Sequence, residues 1–418
     1  MGKRLAAIVL VYTGCFMAWM VLGGSVMFRS EVSDEEIKQR VTTLWGKEHR
    51  QRQPQVFFTQ PETRTEKYWE NGVEKEKQVQ FVNQIDVPLA SSDIDVAVRY
   101  EPRRKGLFWY STYTVKFAAE YEFVNTTDAK RYFFARFHFP SSDAQYDDFK
   151  CVGPKGDVTY ENQNGMVAFT ADELEPGATY RFKVSYSSRG LDTWNYIFDR
   201  DDATASGGGA RVTEVKKLAF KMTTNFDAID FPVGSMSPTG KKKTGGGYEL
   251  EWRFGKLITG LNIGLSMPEE LNPGPLAGRI TFFAPVSLLF FFFVLFVISV
   301  MRKVDLHPMH YFFLGASFFA FHLLFAYLVD HVDVNTAFAI SAATSVFLVV
   351  TYMRVVVGWR FACVEAGLTQ LLYLVAFSYT HFFQGWTGLI ITVLSIATLF
   401  AVMQITARVK WSEVFGKK

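Results

Sequence analysis

The chain has 418 residues and a formal net charge of +3 at pH 7, too mild a positive balance to mark a nucleic-acid-binding surface. Its three cysteines exclude a disulfide-built fold: Cys15 and Cys363 lie in apolar segments, and Cys151 stands alone in the polar middle. Charges run throughout residues 29–278, whereas residues 280–407 are almost continuously apolar, which divides the chain into a membrane part and a soluble insertion large enough to bury its own core.

A helix needs about 20 apolar residues to cross a bilayer. Six segments meet that length: Leu5–Phe28, Ile280–Met301, Tyr311–Val329, Val334–Met353, Phe361–Tyr379 and Trp386–Ala407. The apolar run of the first is longer than the core of a cleavable signal peptide, so it reads as a retained helix. The expected division is an N-terminal transmembrane helix over 1–28, an exported domain over 29–278, a five-helix bundle over 279–410 and a cytoplasmic tail over 411–418. Lys3, Arg4, Arg302, Lys303, Arg354, Arg360, Arg408, Lys410, Lys417 and Lys418 fall on one side of such a bundle. The opposing short loops, Asp330–Asp333 and Thr380–Gly385, carry no Lys or Arg. Both termini are therefore expected in the cytoplasm, with the large domain outside it.

After the first segment, Val32-Ser33-Asp34-Glu35-Glu36-Ile37 reads as the start of an amphipathic helix, with Ser33 and Glu36 as a capping box and Val32 and Ile37 as a hydrophobic staple. Ile37, Val41, Leu44 and Trp45 would form its apolar face, and Gly46 its stop. From residue 78 the period changes to two. Ile94, Val96, Val98 and Tyr100 alternate with polar residues, as do Tyr113 through Phe123 and Tyr180 through Tyr186. Turn signals at Asn164-Gly165, Pro176-Gly177, Ser206–Gly209 and Lys241–Gly247 separate these runs. The expected fold class is a membrane α-helical bundle plus an exported all-β, sandwich-like antiparallel domain. Leu271–Arg279, with Pro273, Gly274 and Pro275, reads as a stiff, irregular tether back to the bundle.

His307-Pro308-Met309-His310-Tyr311, followed by Gly315 and by Leu328-Val329-Asp330-His331, resembles the CreD family of bacterial inner-membrane proteins. Arg104–Phe108 before Tyr113-Thr114, Val41–Gly46, Gly367–Tyr373 and Arg408–Trp411 are similar to further segments of that family. The match is good over 300–411 and patchy in the exported domain. His310 stands where the family has Asn, Asp330 where it has Glu, and His381 near a position often acidic. The resemblance implies a multi-pass protein of the bacterial inner membrane, with a periplasmic domain and a part in envelope integrity, stress response or colicin tolerance. It implies no chemical activity.

Intramembrane ionisable groups are costly and point to function by default. His322 falls mid-helix in the third segment, where a hydrogen-bonded packing role is the simpler reading. Glu365 lies one turn inside the fifth and is expected to pair with Arg360 or Arg354. Asp330, His331, Asp333 and His381 would gather at the outer mouth of the bundle; capping and docking of the exported domain suit them better than a metal, because the close-spaced ligands share one short loop. His307 and His310 read as a structured turn, with Pro308 early in the helix. Ala337, Ser341 and Ser345 repeat at close-packing spacing. No Walker, Gly-x-Ser-x-Gly or His-Glu-x-x-His motif occurs, and no cofactor is expected.

The leading expectation is a non-enzymatic membrane protein, in contact with the lipid bilayer, that binds a periplasmic or inner-membrane protein partner or lipid through its β domain. The alternatives are a transporter or lipid-handling protein with a cavity at the bundle–domain junction, and an intramembrane enzyme around His322. Pro285 is the one proline inside segments two to six, which argues against the broken helices of a transporter.

Overall fold

The structure is a computed structural model that describes residues 2–70, 73–105, 108–163, 165–198, 213–383 and 385–407. The expected turn at Asn164, the flexible stretch at Ser206–Gly209 and the basic tail from Arg408 lie outside the described residues. The chain divides into a helical unit, built mainly of Met1–Ile37 and Leu271–Lys418, and a β-rich unit built of Lys38–Lys105 and Trp109–Glu270.

Among the described residues, six helices are long and apolar enough to cross a membrane, as judged by length and composition. The first runs through Gly2–Trp45, followed by Pro273–Met301, Pro308–Leu328, Val334–Val356, Phe361–Phe382 and Thr387–Thr406. The first departs from expectation. It does not break at residues 28–33, so Ser33 has no helix start to cap and the staple of Val32 and Ile37 has none to brace. The segment from Ser25 to Trp45 contains neither proline nor glycine and is rich in Glu, Lys, Gln and Arg, so nothing in it interrupts a helix already under way. The second helix begins earlier than expected, at Pro273. Pro273 and Pro275 occupy its first turn, where backbone N–H groups have no intrahelical acceptor and a fixed φ favours the helix. What read as a stiff tether is therefore helical.

Inside the helical unit, Leu276, Ile280, Leu288, Phe291 and Leu295 pack with Tyr311, Leu314, Phe318, Phe321 and Phe325. The glycines of this core allow close approach. A Cβ on Gly278 would sit 2.3 Å from Met27 Sδ, and one on Gly315 2.9 Å from Cys15 Sγ. The fifth helix is the most enclosed, with 61% of its apolar window buried against 11% for the first and sixth.

The β-rich unit carries an eight-stranded sheet in which Thr112–Val124 lies between Thr179–Leu191 and Ser91–Tyr100. Tyr113, Val115, Phe117, Ala119, Tyr121 and Phe123 are all buried, as the period of two requires. A five-stranded sheet, which includes Arg131–His138 and Met166–Leu174, adds Phe133, Phe137, Val167 and Phe169 to the same apolar core. The pairing is not wholly antiparallel. Thr213–Thr224 runs parallel to Ser91–Tyr100, with Phe220 beside Ile94, and His49–Arg52 runs parallel to Thr193–Ile197. Alternation of side chains is the same in both kinds of ladder, so the pattern that locates the strands is silent about their direction.

The first helix stops at Gly46, whose φ is +83° and whose N–H donates to Thr42 O at 2.8 Å. Trp45 lies beneath Arg103 and Arg189, 4.2 and 5.3 Å from its ring. Val41 is buried, but Leu44 is exposed, so the apolar face is narrower than expected. A further element went unread: Gln55–Glu70 and Val73–Val87 pair from Val56↔Val87 to Glu70↔Val73. Arg131–His138 covers only Gln55–Phe57. Beyond that point the two strands form a ribbon with polar residues on both faces, ending in Tyr68 and Trp69. Over residues 59–70 the alternation is polar against polar, so no apolar face marked that strand in the sequence.

Candidate functional site

The fifth helix carries Glu365, Thr369, Gln370, Tyr373, Ser378, Thr380 and His381 in an otherwise apolar run. All seven are buried. Polar groups on an apolar helix turn inward, because lipid offers them no hydrogen bond. The helix is also irregular: Phe361–Gly367 and Leu371–Ala376 are π-helical. A π-turn skips the usual i→i−4 bond and leaves carbonyls for other donors. Tyr373 O takes the hydroxyl of Ser287 from the second helix.

From this face a series of side-chain bonds reaches the neighbouring helices. Glu365 Oε1 is 2.9 Å from Arg302 Nη2 at the end of the second helix. The partner expected for Glu365 was Arg360 or Arg354, and the structure corrects this: Arg354 lies over the Trp359 ring at 5.2 Å. Gln370 Nε2 donates to Ser345 Oγ at 2.7 Å, and Ser345 Oγ donates to Ser317 O at 2.6 Å. The hydroxyls of Tyr373 and Thr398 are 2.8 Å apart. Four buried atoms near this system have no hydrogen-bond partner among the described residues: Glu365 Oε2, Gln370 Oε1, His381 Nε2 and His322 Nε2.

His322 is fully buried in the third helix, with Nδ1 2.9 Å from Phe318 O. Trp19 and Phe321 meet its ring edge-on at 5.6 and 4.9 Å. His381 packs against Phe283 at 5.1 Å and lies within electrostatic reach of His322.

The other expected residues are distributed differently. Asp330 Oδ2 pairs with Arg29 of the first helix at 3.1 Å, while the Arg29 guanidinium also lies over Tyr327 and donates to Ala326 O. Asp333 is the N-cap of the fourth helix, its carboxylate accepting from Asn335 N and Thr336 N. His331 is exposed between them. His307 caps the third helix by accepting from Met309 N, and His310 Nδ1 meets Tyr352 OH at 2.7 Å. Among the described residues, no three of His, Cys, Asp and Glu group closely enough to hold a metal. Gln370, Tyr373, Thr398 and Ser287 were missed. The available signal was an amide within an apolar span, since an amide left unpaired there costs several kcal/mol.

The β-rich unit has its own buried polar groups. Tyr186 OH donates to Gln51 Oε1 at 2.8 Å, and Tyr121 and Tyr196 share a bond at 3.1 Å. His49 is fully enclosed between Tyr113 and Tyr146. Burial, partly offset by the Arg189 backbone, pushes its pKa down to about 4.

An enclosed, polar-faced helix among apolar ones, together with a large strand-built unit, defines a membrane protein with a β domain. Residues 216–412 match the family described as inner membrane protein CreD, and that stretch of the chain is CreD-like. No functionally curated protein matches it. Among solved structures, a candidate nutrient binding protein from Legionella pneumophila aligns at 10% identity and a TM-score of 0.34, over 49% of this chain and 71% of that one. An M1 zinc metallopeptidase from Deinococcus radiodurans aligns at 9% identity and a TM-score of 0.24, over 43% and 42%.

Proposed function

We propose that this is a non-enzymatic, six-span inner-membrane protein of envelope integrity or stress response, whose sandwich-like β domain lies in the periplasm and binds a protein or lipid partner. The reading rests on the ribbon of Gln55–Glu70 and Val73–Val87. A two-stranded hairpin is marginally stable alone in water, yet this one is paired to its end and carries exposed Tyr68, Trp69, Phe81 and Val82. Exposed aromatics on a projecting element suit recognition better than packing. The distribution of Lys and Arg supports a cytoplasmic side for both termini. The test is photo-crosslinking in intact cells, with a photoreactive residue at position 69 and a control at position 175. A discrete adduct at 69 and none at 175 is expected. Equal labelling at both, or none at 69, would remove the ribbon as a binding element.

A second reading, transport, draws support from the fifth helix. Its π-turns are the kind of irregularity that the lone Pro285 did not reveal.

A further inference from the structure

We propose that the buried polar face of the fifth helix is a hydrated proton path through the helical unit, a function that goes beyond partner binding by the β domain. Three independent observations carry it.

The first is placement. Glu365 and His381 stand near opposite ends of the helix, separated by 16 residues, or about 24 Å at helical rise. That is most of the roughly 30 Å hydrocarbon thickness of a bilayer. Thr369, Gln370, Tyr373, Ser378 and Thr380 lie in the interval, and all five are buried.

The second is unpaired capacity. Most hydroxyls in the helical unit satisfy themselves on their own helix, as Ser341 does on Ala337 O and Thr344 on Ile340 O. Glu365 Oε2, Gln370 Oε1, His381 Nε2 and His322 Nε2 have no such partner among the described residues. In an apolar medium each such atom costs several kcal/mol unless something polar meets it. Gln370 and His322 are fully buried, so a partner for these atoms has to be as small as water.

The third is the backbone. The two π-turns enclose Glu365 and Tyr373 and flank Gln370, and they release Tyr373 O to Ser287. Such turns lower helix stability and recur at functional positions.

The chemistry follows from these groups. Glu365 is a carboxyl that can take and release a proton, with the guanidinium of Arg302 on its other oxygen. Arg302 belongs to the same connection as Asp305, which pairs with Arg4. Gln370–Ser345 and Tyr373–Thr398 are hydrogen-bonded pairs able to order a water chain. His381 and His322 supply exchangeable nitrogens at the far end, with Arg279 as the fixed charge in reach of His381. Each transfer removes a proton from one oxygen or nitrogen and returns one from the side of entry, so no group changes its charge over a full passage.

The full chain, reconstituted into liposomes containing a pH-sensitive dye, tests this under a potassium diffusion potential. Proton entry several-fold above protein-free vesicles is expected. Glu365→Gln, which retains a hydrogen bond to Arg302, should lower the rate at least ten-fold. His381→Gln should do the same from the other end, which keeps the test alive should the first variant fold poorly. A monodisperse profile and an unchanged melting temperature establish that each variant is folded. Wild-type entry no faster than in empty vesicles overturns the proposal, as do folded variants that conduct like the wild type. Loss of ribbon crosslinking leaves these measurements untouched.

Discussion

Burial makes His49 an acid-sensitive point in the β-rich unit. Its pKa is about 4 in the folded chain against roughly 6.5 when exposed. The imidazole is neutral in both states above the upper value, so it contributes no pH dependence there. Between the two values the unfolded chain binds the extra proton, and stability falls as pH falls, by up to about 3 kcal/mol at the acid end. Denaturant unfolding of the detergent-solubilised chain from pH 7 to pH 4 measures this. His49→Phe should flatten the profile, and an unchanged slope would show that another group controls it. Glu365 invites a second measurement. Removing Arg302 strands a buried carboxylate, but Arg302 is itself more than half exposed, so the cost should be about 1–3 kcal/mol rather than that of a fully enclosed pair. Arg302→Gln should destabilise more than the Arg302→Gln, Glu365→Gln double variant. Additive effects would mean that the two do not interact. Glu365 was visible in the sequence, but its partner was not, because Arg302 is 63 positions away and neighbourhood along the chain favoured Arg360.

Among the elements, the first helix shows how a stop signal outranks a start signal. Ser33 and Glu36 have the spacing of a capping box, yet a cap acts only where a helix begins, and this one is already running. Gly46 ends it through a conformation that other residues adopt at a cost. Gly46→Ala should cost about 1–2 kcal/mol, since it also brings a Cβ within 3.0 Å of Arg189 O. Thermal melting reads the change; an unshifted midpoint would mean that the turn tolerates a side chain. The ribbon is the opposite case of an element with little holding it. Its amides between Thr59 and Gln84 should exchange hydrogen orders of magnitude faster than those of Tyr113–Phe123, which lie mid-sheet with buried side chains. Equal protection in the free chain would indicate that the ribbon is already covered.

For the whole molecule, the ten basic residues on one side favour cytoplasmic termini through the positive-inside bias. Single cysteines at positions 245 and 418 should respond differently to an impermeant maleimide on spheroplasts, with 245 labelled and 418 protected. Cys151 adds little background, because burial raises its thiol pKa to about 12. Labelling of both positions, or of 418 alone, would reject the proposed topology.

Apolar runs and alternation determined the membrane segments and the central strands of the β-rich unit, because burial in lipid or in a sheet acts on each residue locally and leaves a period in the sequence. Gly46 and Asp333 were legible for the same reason, since a helix end is satisfied by residues within a few positions of it. Tertiary structure alone decided the parallel pairing of Ser91–Tyr100 with Thr213–Thr224, the Arg29–Asp330 and Arg302–Glu365 pairs, and the joining of Gln370 to Ser345. These bring together positions 25 to more than 300 residues apart in the chain, and their energy depends on distance in space, which no local pattern records.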